Sequence, residues 1–427
     1  MADVKYKVNA NGRKGALGYG SLPFDAQIAF FRNKLALPTR TWTDIWQANH
    51  DHAFVVAGAN KMALVEDLQA AVQKAIAQGT TLTEFRKDFD AAVKAHGWSY
   101  NGSRGWRTQV IYHTNLRSSY NAGRFEQLQK FPYWQYHHSI ASQNARPQHL
   151  VWDKLVLPAN HAFWLTHYPP NGWGCNCSVT GLSDVRLKAR GLSVSEAPVI
   201  KLRQVEVGKN GLNPRAVEVP EGISPGFAYA PGRSAWMHSH VPTPLGKPPH
   251  GFDKMIPATS ARDLLPEPRV FAEDKILAKG LSDDEYVAAF LSEFGAAEGA
   301  PVVFYDVAGE ALVISSALFR NIKGKLKVTK RGREPYVLML AEAIRNPDEI
   351  WTNMEWNHAL GKAMVRRRYV ARFEIADGSR DGFAVFEYGR DGWAGVTTYA
   401  RDFSSLDELD AEVEGMRRGV RLYKRGL

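Results

Sequence analysis

The chain has 427 residues, 44% of them hydrophobic and 11% aromatic, and carries a formal net charge of +10. This composition excludes a disordered chain, and the length suits two or three separately cored domains. Two cysteines cannot build a secreted disulfide framework, and no run of about 18 apolar residues offers a membrane span, so a reducing cytoplasm or a particle assembled there is expected. The opening residues, MADVKYKVNANGRKG, lack the apolar centre of a signal peptide.

Residues 1–22 are polar and Gly-rich and read as a flexible arm. LPFDAQIAFFRNKLAL then places Ile28, Phe31 and Leu35 at helical spacing. Leu64, Leu68, Val72 and Ile76 form an apolar stripe ending at Gly79, a residue that stops helices. Thr81 with Glu84 is a capping box opening a helix with Leu82, Phe85, Phe89 and Val93 inward. RGWRTQVIYHTNLRSSYNAGRFEQLQKF predicts a further helix. From Pro132, aromatic and β-branched residues between turns predict short strands. Residues 196–262, rich in proline, read as an extended linker, part of which drapes over the preceding domain.

A separate unit is expected over residues 263–427. It holds 24 Lys and Arg against 27 Asp and Glu, a net of −3, which leaves +13 on residues 1–262. The basic first part suits nucleic acid or an acidic protein surface, and equally a plain solvated face. Ser282 with Glu285 predicts a helix burying Tyr286, Val287, Phe290 and Leu291. PVVFYDVAGEALVISS reads as a hairpin about Ala308-Gly309, and YVLMLAEAIRNP as a helix stopped by Pro347. EIWTNME, RRRYVARFEI, GFAVFEYG and WAGVTTYA alternate as antiparallel strands, with hairpin turns at Asp377-Gly378 and Asp391-Gly392. Ser405 and Glu408 cap a last helix. The fold class expected is therefore a mainly α N-terminal domain with a small irregular β part, followed by an α+β domain with helices on one side of an antiparallel sheet.

RPQHLVWDKLVLP, FWLTHYPPNGWGCNCSV and GFAYAPGRSAW, with TWTDIWQANHDHAFVVAGA upstream, resemble the phage Mu protein F-like head-morphogenesis family over about residues 23–236. The resemblance gives a head-morphogenesis domain at 23–195. It implies a minor head protein of the virion near the portal, assembled in the host cytoplasm, with portal and head proteins as partners and packaged DNA within reach. Within the resembling block, Cys175, Cys177, His149 and His167 are four side chains of the kind that close a tetrahedral zinc shell, and the turn at Pro169-Pro170-Asn171-Gly172 can return His167 to the thiols. The spacing equally fits a pair of buried thiols with satisfied histidines, in a block where proline and glycine fix a turn and Trp164 and Trp173 pack over it. A catalytic thiol is the third reading.

The segment from about Leu264 onward resembles the nuclease-like domains fused to such head proteins, of the barnase, EndoU, colicin and RelE type. The resemblance implies a metal-independent RNase, with host RNA as substrate. Such cleavage needs a base, an acid and cations at the phosphate. His358 is the acid/base candidate. Lys362, Arg366, Arg368, Thr397 and Tyr399 are the groups expected to line the phosphate site, with Arg372 on the face of Arg366 and Arg368, and Arg367 and Tyr369 on the other. The same arginines read equally well as ion pairs to carboxylates such as Glu374 and Glu387. The basic run Lys323 to Arg333 is a second RNA contact or a solvated loop. Three functions follow: a head protein with an RNase effector, a structural head protein with an inactive interaction domain, and a free toxin.

Overall fold

A computed structural model of the chain describes residues 24–140, 146–209, 214–235, 265–320, 324–326, 328, 332–357, 362–375, 381–389, 394–401 and 403–426. The arm 1–22, the linker residues 236–262, His358, five of the eleven residues of the basic run and the turns at Asp377-Gly378 and Asp391-Gly392 lie outside the described residues.

The N-terminal part is built on four helices: α1 (Asp25–Arg32), α2 (Met62–Gln78), α3 (Leu82–His96) and α4 (Arg104–Leu128). Leu64, Leu68, Val72 and Ile76 bury the stripe of α2 against Phe85, Phe89 and Leu116. Gly79 ends α2 at φ 68°, a left-handed conformation that glycine adopts at little cost. Both halves of the Thr81–Glu84 capping box are formed. β1 (Leu35–Ala36) pairs in parallel with β2 (Ala53–Phe54).

Beyond α4 lies a three-stranded antiparallel sheet of β3 (Tyr133–His137), β4 (Val156–Pro158) and β5 (Ser178–Leu182), with β3 in the centre. Two single-turn helices, α5 (Pro147–Val151) and α6 (Phe163–His167), close over it, and α7 (Asp184–Ala189) follows β5. The core here is aromatic: Trp134, Tyr136, Trp152, Phe163, Trp164 and Tyr168 are all buried. In the stretch expected to be linker, β6 (Leu202–Val207) and β7 (Arg215–Pro220) form a hairpin, and Val219, Ile223, Phe227 and Ala230 pack into that core. At its end, the backbone N–H groups of Gly232 and Ser234 donate to the buried Asp51 carboxylate at 2.9 and 3.2 Å. The ANHDH and APGRS motifs, some 180 residues apart in sequence, thus meet in space. Burial outweighs those two bonds and pushes the Asp51 carboxyl up to about 6.

The C-terminal part is α+β. Five strands of a six-stranded sheet run in the order β14 (Ala394–Arg401), β13 (Asp381–Gly389), β12 (Lys362–Ile375), β11 (Glu349–Asn357), β15 (Val420–Lys424), each antiparallel to its neighbour. β8 (Arg269–Phe271) adds to the end of β12 in parallel. The hairpin of β9 (Val302–Tyr305) and β10 (Ala311–Ile314) turns at Gly309, φ 79°, where the sequence placed it. Helices α8 (Asp283–Ser292) and α9 (Val337–Arg345) cover the face carrying Tyr369, Ala371 and Phe373. The expectation of helices on one side only is met by these two and departed from by the third. α10 (Leu406–Met416) lies on the opposite face, because Trp351, Val370, Phe383 and Val385 make that face apolar as well.

The two parts share a core. Leu37, Ile45 and Ala53 belong to the same buried cluster as Phe271, Tyr369 and Ile350. Across the same junction, Met62 N–H at the start of α2 donates to Glu310 Oε2 at 2.7 Å.

Candidate functional site

Two places carry chemistry. The first is the block after the Pro169-Pro170 turn. His149, Cys175 and Cys177 are buried, and their ligating atoms all lie within 4.8 Å of one another. His149 Nδ1 stands 3.5 Å from Cys177 Sγ and 3.9 Å from Cys175 Sγ. The other ring nitrogen, Nε2, lies 2.9 Å from the Gly222 carbonyl oxygen, so it carries the proton and leaves a lone pair on Nδ1 facing the thiols. Trp152 stacks on the imidazole at 5.2 Å.

Local sequence explains this placement. Pro147 opens α5 and puts His149 on its inner side. Asn171 is fully buried and accepts from the Tyr136 hydroxyl at 2.9 Å. A Cβ at Gly172 would stand 2.4 Å from Ser224 Oγ and 2.8 Å from Arg146 Nη2, so a larger residue there would have to push both side chains aside. Gly174 then takes φ 70° and delivers both cysteines inward. The thiols share a hydrogen bond: it raises Cys175 well above the thiol range and lowers Cys177 below it. Burial, with the thiols beside it, keeps the Tyr136 phenol protonated.

The structure does not bring His167 to this cluster. α6 holds it against Phe163 at 4.3 Å, with Trp152 edge-on at 4.8 Å, outside the group that His149 forms with the two cysteines. Burial lowers His167 to about 4, and its Nδ1 is bonded to Thr166 Oγ1. A different histidine is present. His138 Nδ1 is 3.7 Å from Cys177 Sγ. The signal for it was in the sequence as the pair His137-His138: successive residues alternate across a strand. His137 pairs with Ser178 in the β3/β5 register, and one step further brings 138 beside 177.

The second place is the arginine-rich strand β12. Arg366, Arg367 and Arg368 are all buried. Arg366 Nε is 2.9 Å from Glu355 Oε1. Arg368 Nε is 2.6 Å from Glu387 Oε2, and its Nη1 donates to the Met416 carbonyl at the end of α10. Arg372 pairs with Asp381 at 2.7 Å. On the other face, Arg367 and the Tyr369 hydroxyl converge on Asp306 Oδ2 at 2.7–2.9 Å. The expected alternation is observed, and each of these four arginines faces a carboxylate. Lys362 begins β12, and 397 and 399 on β14 stand opposite Val385 and Phe383 in the backbone register. A further buried centre was missed: Glu349 receives Arg417, Arg421 and the Trp351 indole at 2.8–3.2 Å. Its arginines come from beyond α10, where no spacing rule ties them to β11.

Residues 66–180 match the family described as Phage Mu protein F like protein, and residues 289–424 match the phage-Barnase-EndoU-ColicinE5/D-RelE like nuclease2 family. The chain joins a Mu F-like segment to a nuclease-like domain. Protein F of Escherichia phage Mu, named for capsid assembly, is 32% identical over 206 residues, 44% of this chain and 47% of its own. The Mu-like prophage FluMu F protein of Haemophilus influenzae is 32% identical over 173 residues, 37% and 42% of the two chains. The chain thus spans less than half the length of either relative. No solved structure matches it significantly. Among the described residues, no helix is long and apolar enough to cross a membrane.

Proposed function

We propose that this protein is a minor head protein of a tailed phage, acting in head morphogenesis beside the portal, and that its C-terminal domain is an RNase effector carried with the head. The similarity to protein F of phage Mu over 206 residues carries the first half of the reading. It is supported by the contact of the ANHDH and APGRS motifs, which makes the resembling stretch one packed unit. The nuclease-like family match supports the second half. In this reading His358 moves the proton of the attacking 2′-hydroxyl. Lys362, Thr397 and Tyr399 line the phosphate, and Arg366 and Arg368 lend fixed positive charge from beneath the sheet surface.

The ion pairs of Arg366 and Arg368 favour a second reading, in which the domain is an inactive interaction module. Mass spectrometry of purified particles tests the head assignment: absence of the protein from heads, with normal heads formed by a deletion mutant, refutes it. Incubation of the full chain with RNA, beside a His358→Ala variant, separates the two readings of the C-terminal domain. Cleavage lost in the variant supports the effector, and intact RNA with the parent supports the interaction module.

A further inference from the structure

We propose that His149 Nδ1, Cys175 Sγ, Cys177 Sγ and His138 Nδ1 bind one zinc ion in a closed tetrahedral site that fastens the segment after β7 onto the Mu F-like core. The spacing of the groups is the first support. With Zn–S about 2.3 Å and Zn–N about 2.0 Å, the edges of a tetrahedral shell come to about 3.5 Å for S···N and 3.8 Å for S···S. Of the four S···N edges of such a shell, His149 to Cys177, His138 to Cys177 and His149 to Cys175 measure 3.5, 3.7 and 3.9 Å. His149, Cys175 and Cys177 already form a group whose ligating atoms lie within 4.8 Å of one another, and His138, at the shell spacing from Cys177, would complete the set by moving its ring inward.

The donor set is the second support. Two thiolates and two neutral imidazoles balance a divalent cation, so the filled site carries no net charge into a core of tryptophan and tyrosine. In the filled site both sulfurs are thiolates, any thiol proton having left to solvent, and a lone pair of each sulfur goes to the metal. The outer shell is also built. The Gly222 carbonyl fixes the His149 tautomer that zinc requires. Asp153 Oδ1 accepts from the His138 backbone N–H at 2.8 Å and holds the end of β3 in place.

The connection through Gly222 gives the site its role. Gly222 sits at φ 82°, where a Cβ would strike Gln148 and Trp152, so the chain after β7 is pressed directly onto α5. Zinc then ties four separate pieces together: the end of β3, α5, the turn before β5 and, through the His149 ring, the segment 221–235. With four protein ligands no position is left for substrate, so the site is structural.

The test is metal analysis of the full chain, purified through a tag without histidine. About one zinc per chain is expected, and replacement by cobalt should give the intense visible bands of a tetrahedral thiolate site. Cys177→Ser and His149→Ala should lose the metal. His138→Ala should weaken binding by more than the roughly 10- to 100-fold cost of an outer-shell partner. His167→Ala should keep it. Should a variant fail to fold, the unmutated chain supplies the answer: titration with a chromophoric chelator should release one zinc and open residues 221–235 to protease. A metal-free native chain whose two thiols react freely overturns the proposal. So does a His138→Ala chain that binds zinc as tightly as the parent, or release of zinc without any change in protease sensitivity.

Discussion

Arg368→Ala distinguishes a brace from a phosphate-binding cation. Arg368 and Glu387 are 11% and 7% exposed at their side chains, and the guanidinium also satisfies the Met416 carbonyl. Truncation leaves a buried carboxylate without its partner, which costs about 3–5 kcal/mol. In a unit of about 160 residues each kcal/mol lowers the melting temperature by about 2–4 °C, so a fall of about 6–20 °C is expected. Replacing both members, Arg368→Met with Glu387→Leu, removes the orphaned charge and should recover most of the loss. Calorimetry of the full chain reads both variants, and RNA cleavage is followed at a temperature where each remains folded. An Arg368→Ala chain that melts like the parent yet no longer cleaves RNA would refute the brace and return Arg368 to the phosphate site.

On the other face of β12, Tyr369→Phe takes one donor from Asp306 and leaves Arg367 in place, so a loss of about 1–2 kcal/mol is expected in urea unfolding. Glu310→Ala removes the acceptor at the positive end of α2 and should lower stability by about 1–2 kcal/mol; an unchanged value would mean that the junction contact is absent in solution. Asp51 has a folded-state value of about 6, above the ordinary value near 3.9, so the folded chain binds the extra proton as pH falls. Stability should therefore rise by about 2 kcal/mol between about pH 7.5 and about pH 4.5 through this group. Asp51→Asn should remove that increment, and an equal parent–variant difference at both pH values would exclude it.

The elements legible in the sequence were those set by local rules. The stripe on α2, its Gly79 stop, the two capping boxes and the Gly309 hairpin need only the periodicity of a few neighbouring residues. The alternation of Arg366 to Arg372 was legible for the same reason. Of what the arginines face, Glu387, the partner of Arg368, was among the carboxylates expected from the sequence; Glu355 and Asp306 were not, since one comes from the neighbouring strand and the other from a hairpin turn, each set by register. In the metal candidate, Cys175, Cys177 and His149 were recognised by residue type, whereas the choice of His138 over His167 depends on the β3/β5 register and on the packing of His167 against Phe163. The prolines of 196–262 suggested a linker because composition reports backbone irregularity. Burial there is carried by Val219 at the end of β7 and by Ile223, Phe227, Ala228 and Ala230 in turns beyond it; their spacing would fit a helix, yet the backbone there is irregular.

The shared core bears on how the nuclease-like domain can act. Leu37, Ile45 and Ala53 are 0–1% exposed and lie in the cluster that holds α8, α9 and the Tyr369 face of the sheet. A fragment beginning at residue 263 would open that cluster to water. Fully burying a leucine or isoleucine contributes about 1.5–3 kcal/mol, so two such residues and an alanine amount to several kcal/mol, comparable with the whole stability of many domains. Inactivity of the isolated fragment would therefore report exposure of this surface as readily as absence of a catalytic group. The full chain is the proper substrate for RNA assays. A double change at the junction, Leu37→Ala with Ile45→Ala, then separates the two causes: it should destabilise the C-terminal part while leaving every candidate catalytic residue in place.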